Sequence, residues 1–174
     1  MKLFHKRTKN ENLHMLWQSL LVFAIIFGFM YAMKHALNAD DALGAIGATS
    51  LGSSAFLAFV AHDTAMARER RMIFGYVLGI FFGALASVIV HYMIHHGILP
   101  DCHSDLRVFF CAAVAMITML CMTIFSCEHP PAVGIAIGLV LRHWDMPILT
   151  IVFVTVMVIA GVKAILRPWL LNLL

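Results

Sequence analysis

The sequence predicts an all-α polytopic membrane protein with five or six transmembrane segments, two of them short or interrupted. Three observations carry that expectation. Of the 174 residues, 62% are hydrophobic and 12% charged, with a mean hydropathy of +0.92, whereas a soluble domain carries about 25% charged residues. The charges are also clustered, and most of the uncharged gaps between clusters have membrane length. There are 22 residues between Glu11 and Lys34, 21 between Asp41 and Asp63, 29 between Arg71 and Asp101, 20 between Arg107 and Glu128, and 17 between Asp145 and Lys163. A hydrocarbon core needs about 20 apolar residues per helix, so these five gaps suffice, and only the 13 residues between Glu128 and Arg142 fall short. Finally, lipid offers no partner for backbone N–H and C=O groups, and the runs are too long for barrel strands, which leaves helix.

The elements follow in chain order. An amphiphilic arm, residues 1–12, is expected to precede a single transmembrane domain, residues 13–174. The first helix spans about Leu13 to Met33, with Trp17 and Tyr31 near its ends, where interfacial aromatics sit. No small-x-small cleavage site follows it, so it is expected to stay as a span. A second segment, about Leu43 to Ala61, starts rich in Gly, Ala, Ser and Thr and becomes strongly apolar only at Phe56. The third runs from about Met72 to Ile94, with Gly75, Gly79 and Gly83 on one face as a seam for close helix contact. A fourth covers about Arg107 to Cys127 and is cut by Glu128-His129-Pro130-Pro131. A short helix, about Ala132 to Leu141, and a last span, about Pro147 to Leu166, complete the chain.

Loop charges give orientation. Lys2, Lys6, Arg7 and Lys9 place the N-terminus in the cytoplasm by the positive-inside rule, so the chain is expected in a cell (inner or plasma) membrane with that topology. Arg68, Arg70 and Arg71 then fall inside, and Asp40, Asp41, Asp101 and Asp105 outside. Six crossings return Lys163 and Arg167 to the cytoplasm and leave Arg142 outside. Each half has a long span, an interrupted segment and another long span, the order of a 3+3 inverted repeat.

This composition excludes a soluble enzyme, a nucleic-acid binder and a disulfide-stapled secreted domain. There is no Walker loop, dinucleotide fingerprint, His-Glu-x-x-His or nucleophile elbow, so the chain is not read as an enzyme and no cofactor is implied. Cys111 and Cys121 lie in an apolar run, where thiols are inert, and only Cys102 looks solvent-facing.

Two segments could carry chemistry. In Glu128-His129-Pro130-Pro131-Ala132 the prolines forbid a continuous helix, and Pro131 suits the first position of a new one. The N–H groups of Ala132, Val133 and Gly134 would then face the break as an anion site. The matching interruption, Thr49-Ser50-Leu51-Gly52-Ser53-Ser54, supplies neutral donors suited to an ion that must also leave. The plainer readings are an interfacial Pro-Pro turn and a small-residue packing face with hydroxyls bonded to their own helix. Met116, Met119 and Met122, with Cys121, Cys127 and His129, raise a soft-metal reading, but no spacing matches a defined metal site. His91, His95 and His96 are expected at an aqueous face, and Arg68, Arg70 and Arg71 as topogenic charges that could also gather anions.

The pentapeptide Glu128 to Ala132 resembles the signature of the HPP family of integral membrane proteins, named for its His-Pro-Pro motif. Gly52 to Phe59, the Ala61-His62-Asp63 turn, and the basic loop running from Arg68 into a Gly-containing helix to Gly83 resemble the same family, so the likeness covers about Gly44 to Leu141. The chain departs from the family pattern at Glu69-Arg70-Arg71 and Phe74-Gly75-Tyr76. The resemblance implies a transporter-like membrane protein, and because chloroplast and cyanobacterial members are linked to nitrite transport, it makes nitrite the first substrate to consider.

The expected function is passive or proton-coupled movement of a small monovalent anion, nitrite first. It would bind near mid-membrane to Thr49, Ser50, Gly52, Ser53, Ser54, Glu128, His129, Pro130, Pro131, Ala132 and Val133. His129 would act as titratable gate or proton partner, and Glu128 would orient it or repel anions until it is protonated. The alternatives are a non-transporting membrane scaffold or assembly subunit, and a copper carrier. The partners expected are the anion, the bilayer and a second copy of the chain in a symmetric dimer, with no nucleic acid.

Overall fold

The computed structural model describes residues 9–37, 41–97, 105–141 and 146–170. Lys2, Lys6, Arg7, Asp40, Asp101, Cys102 and Arg142, which carried expectations about topology or exposure, lie outside the described residues. Among the described residues there are six α-helices and no strand: α1 (Lys9–Leu37), α2 (Asp41–Phe59), α3 (Glu69–His95), α4 (Asp105–Ile124), α5 (Pro131–Leu141) and α6 (Met146–Leu166). Short 3-10 turns, Ala65–Ala67 and Arg167–Trp169, precede α3 and follow α6. Four helices, α1, α3, α4 and α6, are long and apolar enough to span a membrane, and α2 and α5 are shorter apolar helices. The chain is a multi-pass membrane protein. At 1.5 Å per residue the 11 residues of α5 reach only about 16 Å, roughly half of a 30 Å hydrocarbon core.

Glycines set the packing. A Cβ added at Gly75 would stand 2.7 Å from His129 Cβ, one at Gly79 would stand 2.5 Å from the Ala132 carbonyl oxygen, and one at Gly83 would stand 2.7 Å from Ala136 Cα. The three-glycine face of α3 is therefore the seat of α5, and the rising numbers on both helices make the two parallel. This seam is consumed inside the chain, so it offers nothing to a second copy. On the other side of α5, Gly138 abuts Ile46 and Gly134 abuts Ser50, an antiparallel contact with α2.

The helix neighbours follow the predicted repeat. Exchange α1 with α4, α2 with α5 and α3 with α6, and each substantial helix contact maps onto another: α1–α2 onto α4–α5, α3–α4 onto α1–α6, α3–α5 onto α2–α6, while α2–α5 and α3–α6 map onto themselves. The directions invert under the same exchange, since α1, α3 and α5 run one way and α2, α4 and α6 the other. The two short helices thus cross at the centre of this contact pattern.

Candidate functional site: the crossing of α2 and α5

The break between α4 and α5 begins with a helix stop that the sequence did not announce. Cys127 N–H bonds the Met122 carbonyl at 2.9 Å and Ser126 N–H that of Thr123 at 3.1 Å, the paired bonds of a Schellman cap. Ser126 takes the left-handed conformation, φ 51°, at the position glycine usually fills. Helix α4 accordingly ends at Ile124, three residues before the predicted Cys127. After the prolines, Ala132 N–H donates to the His129 carbonyl and Val133 N–H to that of Pro130, each at 3.0 Å. These two donors are not free to face the break, as the sequence reading expected, because a tight first turn satisfies them within the chain.

What converges at the break is a set of side chains. His129, Ser54 and Tyr76 are fully buried and Ser50 nearly so. Ser54 Oγ lies 2.8 Å from His129 Nε2 and 2.9 Å from the Tyr76 hydroxyl, and Ser50 Oγ donates to the Pro131 carbonyl. The other imidazole nitrogen, Nδ1, lies 3.0 Å from the Met66 carbonyl. A carbonyl only accepts, so Nδ1 carries the proton and, in the neutral ring, Nε2 accepts from Ser54. Ser54 has a single hydrogen, so the Tyr76 hydroxyl donates to Ser54. The proton order runs Tyr76 to Ser54 to His129 to the Met66 carbonyl. With the ring neutral, both imidazole nitrogens are thereby partnered.

The predicted residues divide cleanly. Ser50, Ser54, His129 and Pro131 meet at the crossing. Thr49 and Ser53 are on the exposed side of α2, their hydroxyls donating to the carbonyls of Ile46 and Thr49 at 2.9 Å each. A Cβ at Gly52 would face Ile26 of α1, not the break. Ala132 and Val133 are buried as packing residues, and Pro130 is exposed. Glu128 points away from His129 to Arg71, whose Nη1 lies 2.6 Å from its carboxylate. His129 faces Gly75, seven residues before the α3 midpoint at Phe82, so it lies about 10 Å along α3 from the middle of that helix, toward its arginine-rich end.

Two participants were missed. Tyr76 carries no sequence signal beyond its place one residue after a seam glycine. Lys163 was read as a topology charge, yet it is buried on α6, where Nζ bonds the Ala67 carbonyl, lies 3.4 Å from that of His62, and stands 3.5 Å from Glu69. An ionisable residue in an apolar helix is a functional candidate by default.

The soft-metal residues do not converge: Met116 and Met119 are exposed while Met122 is buried. Among the described residues no group of three or more His, Cys, Asp and Glu could hold a metal ion. His91, His95 and His96 are exposed near the far end of α3.

Beside the break lies a groove of about 700 Å³, lined by Arg68, Arg70, Arg71, Phe74, Phe125 and Cys127 among others. A family model described as HPP, transmembrane region, matches residues 7–172. No match was found among curated proteins or among solved structures.

Proposed function

The chain belongs to the HPP transmembrane family, and from that premise and the geometry of the α2–α5 crossing we propose that it is a transporter, not an enzyme, for a small monovalent anion, nitrite foremost. The observation that carries this reading is the 2.8 Å contact between Ser54 and His129 Nε2, buried where the two short helices of an inverted repeat cross. Inverted-repeat transporters bind their cargo between such short or broken helices.

The proton order suggests how a charge could pass. With His129 neutral, each hydroxyl of the cluster has an internal acceptor. Protonation turns Nε2 into a donor, which releases the Ser54 hydrogen toward the Ser50 carbonyl, 3.2 Å away, or toward an incoming anion. An anion beside imidazolium is a neutral pair, and neutrality removes most of the cost of entering a low-dielectric site. Proton and anion would therefore move together. The arginine-rich end would face the cytoplasm by the positive-inside rule, placing the N-terminus inside a cell membrane.

A trapped pH dye in proteoliposomes tests the coupling. Nitrite added outside should acidify the lumen faster than in empty vesicles, and nitrite entry without accompanying protons would refute it. A scaffold reading draws on the same cluster, since its hydrogen bonds are satisfied internally. Well-folded protein with no flux of nitrite, nitrate, formate or chloride would favour that reading.

A further inference from the structure

We propose that the groove beside the break holds the headgroup of an anionic phospholipid from the leaflet at the arginine-rich end. Its charge is one-sided. Arg68, Arg70 and Arg71 line it, and the carboxylate of Glu128 balances Arg71 alone. Glu69, the other acid of this stretch, turns to Lys163 instead. Arg70 lies over the Phe74 ring, 5.8 Å from its centroid, which holds the guanidinium at the groove wall. Guanidinium groups bind phosphate through paired N–H donors, the geometry a phosphodiester requires.

The walls argue for a lipid rather than a free ion. Phe74, Val77, Leu78 and Phe125 form an apolar side, and Phe74, Val77 and Phe125 are exposed. That side continues along α3 through the exposed Phe81, Leu85 and Val88, a track on which acyl chains can lie. About 700 Å³ is the volume of a pocket for a ligand of many atoms, against roughly 30 Å³ for a water-sized species. A monovalent inorganic anion would leave it nearly empty.

A second copy is disfavoured as the occupant. A symmetric dimer through this face would bring two sets of three arginines together, because a two-fold interface apposes the same patch on both partners. By the positive-inside rule the arginines also face the leaflet where anionic lipids concentrate.

The test is lipid retention by native mass spectrometry, using the full chain purified in neutral detergent and exposed to dioleoylphosphatidylglycerol or dioleoylphosphatidylcholine. The proposal predicts one phosphatidylglycerol retained per protomer, with phosphatidylcholine retained at least tenfold less. R68Q/R70Q should lower phosphatidylglycerol retention about tenfold, and R68K/R70K should keep most of it. Arg71 is left in place because of its pair with Glu128. Equal retention of the two lipids, unchanged retention in R68Q/R70Q, or complete displacement by millimolar inorganic phosphate would each overturn the proposal, the last by identifying a small-anion site. Cross-linking between copies through S126C would overturn it in favour of a dimer face. If R68Q/R70Q does not fold, the comparison of the two lipids on the unmodified chain decides.

Discussion

His129 and Lys163 hold consecutive carbonyls of one turn. His129 Nδ1 donates to the Met66 carbonyl at 3.0 Å, and Lys163 Nζ donates to that of Ala67. The 3-10 turn Ala65–Ala67 is thereby fixed from two sides, by the start of α5 and by α6. The connection from α2 to α3 is not a passive loop but a clamped neighbour of the crossing.

Replacing Lys163 with Met should loosen that clamp. The substitution keeps an unbranched apolar stem but leaves the Ala67 and His62 carbonyls without their donor. Each unsatisfied buried acceptor costs about 1–3 kcal/mol. The thermal transition of the purified protein should fall by several degrees, and hydrogen exchange should rise at residues 60–68. An unchanged transition would mean that Lys163 is held but holds nothing.

Protonation of His129 should make stability fall in acid. In the folded chain Nδ1 donates to the Met66 carbonyl and Nε2 accepts from Ser54, so a second ring proton breaks the Ser54 bond, a cost the unfolded chain does not have. Stability is therefore fully present above the ordinary histidine range and is lost as pH falls below it. Thermal melts from pH 7.5 to 4.5 should show this slope, and His129→Asn should flatten it. A slope equally steep in the variant would assign acid sensitivity to other groups.

The glycines of α3 should differ sharply from others in the chain. A methyl at Gly79 meets the Ala132 backbone at 2.5 Å, so Gly79→Ala must push α5 away, at about 1–3 kcal/mol of overpacking. Gly28 and Gly161 have nothing within 4 Å of an added Cβ, and alanine there should be neutral or slightly stabilising. Comparable melting losses at Gly79 and Gly28 would contradict the α3–α5 seam.

Ser126 occupies a left-handed position, where a side chain is disfavoured relative to glycine. Ser126→Gly should raise stability by about 0.5–1 kcal/mol, read as a higher melting temperature. A decrease would show that the serine side chain has a role the cap does not reveal.

Much of the fold was legible because the membrane makes few demands and makes them loudly. The uncharged gaps located every long helix, the spacing of Gly75, Gly79 and Gly83 marked the tightest contact, and the two interrupted segments proved to be the pair that crosses. The helix stop at Ser126 was not legible, since its glycine position holds a serine. Within Thr49 to Ser54 the sequence could not tell which hydroxyls turn inward, because that depends on where α1 and α5 lie around α2. The structure selects Ser50 and Ser54 and turns Thr49 and Ser53 outward. Glu128 and His129 are adjacent in sequence yet face opposite partners, Arg71 and Ser54, which no spacing rule separates. Lys163 looked like any other charge at a helix end until its carbonyl partners appeared.

The most direct test compares two serines one residue apart. Nitrite flux into proteoliposomes should fall at least tenfold in Ser54→Ala and in His129→Asn, compared at equal abundance of folded protein, while each variant also melts lower because it leaves buried partners unsatisfied. In Ser53→Ala, whose hydroxyl bonds only its own helix at 2.9 Å, flux should be unchanged. Equal flux in the Ser54 and Ser53 variants, or flux that survives loss of His129, would contradict a pathway through the α2–α5 crossing.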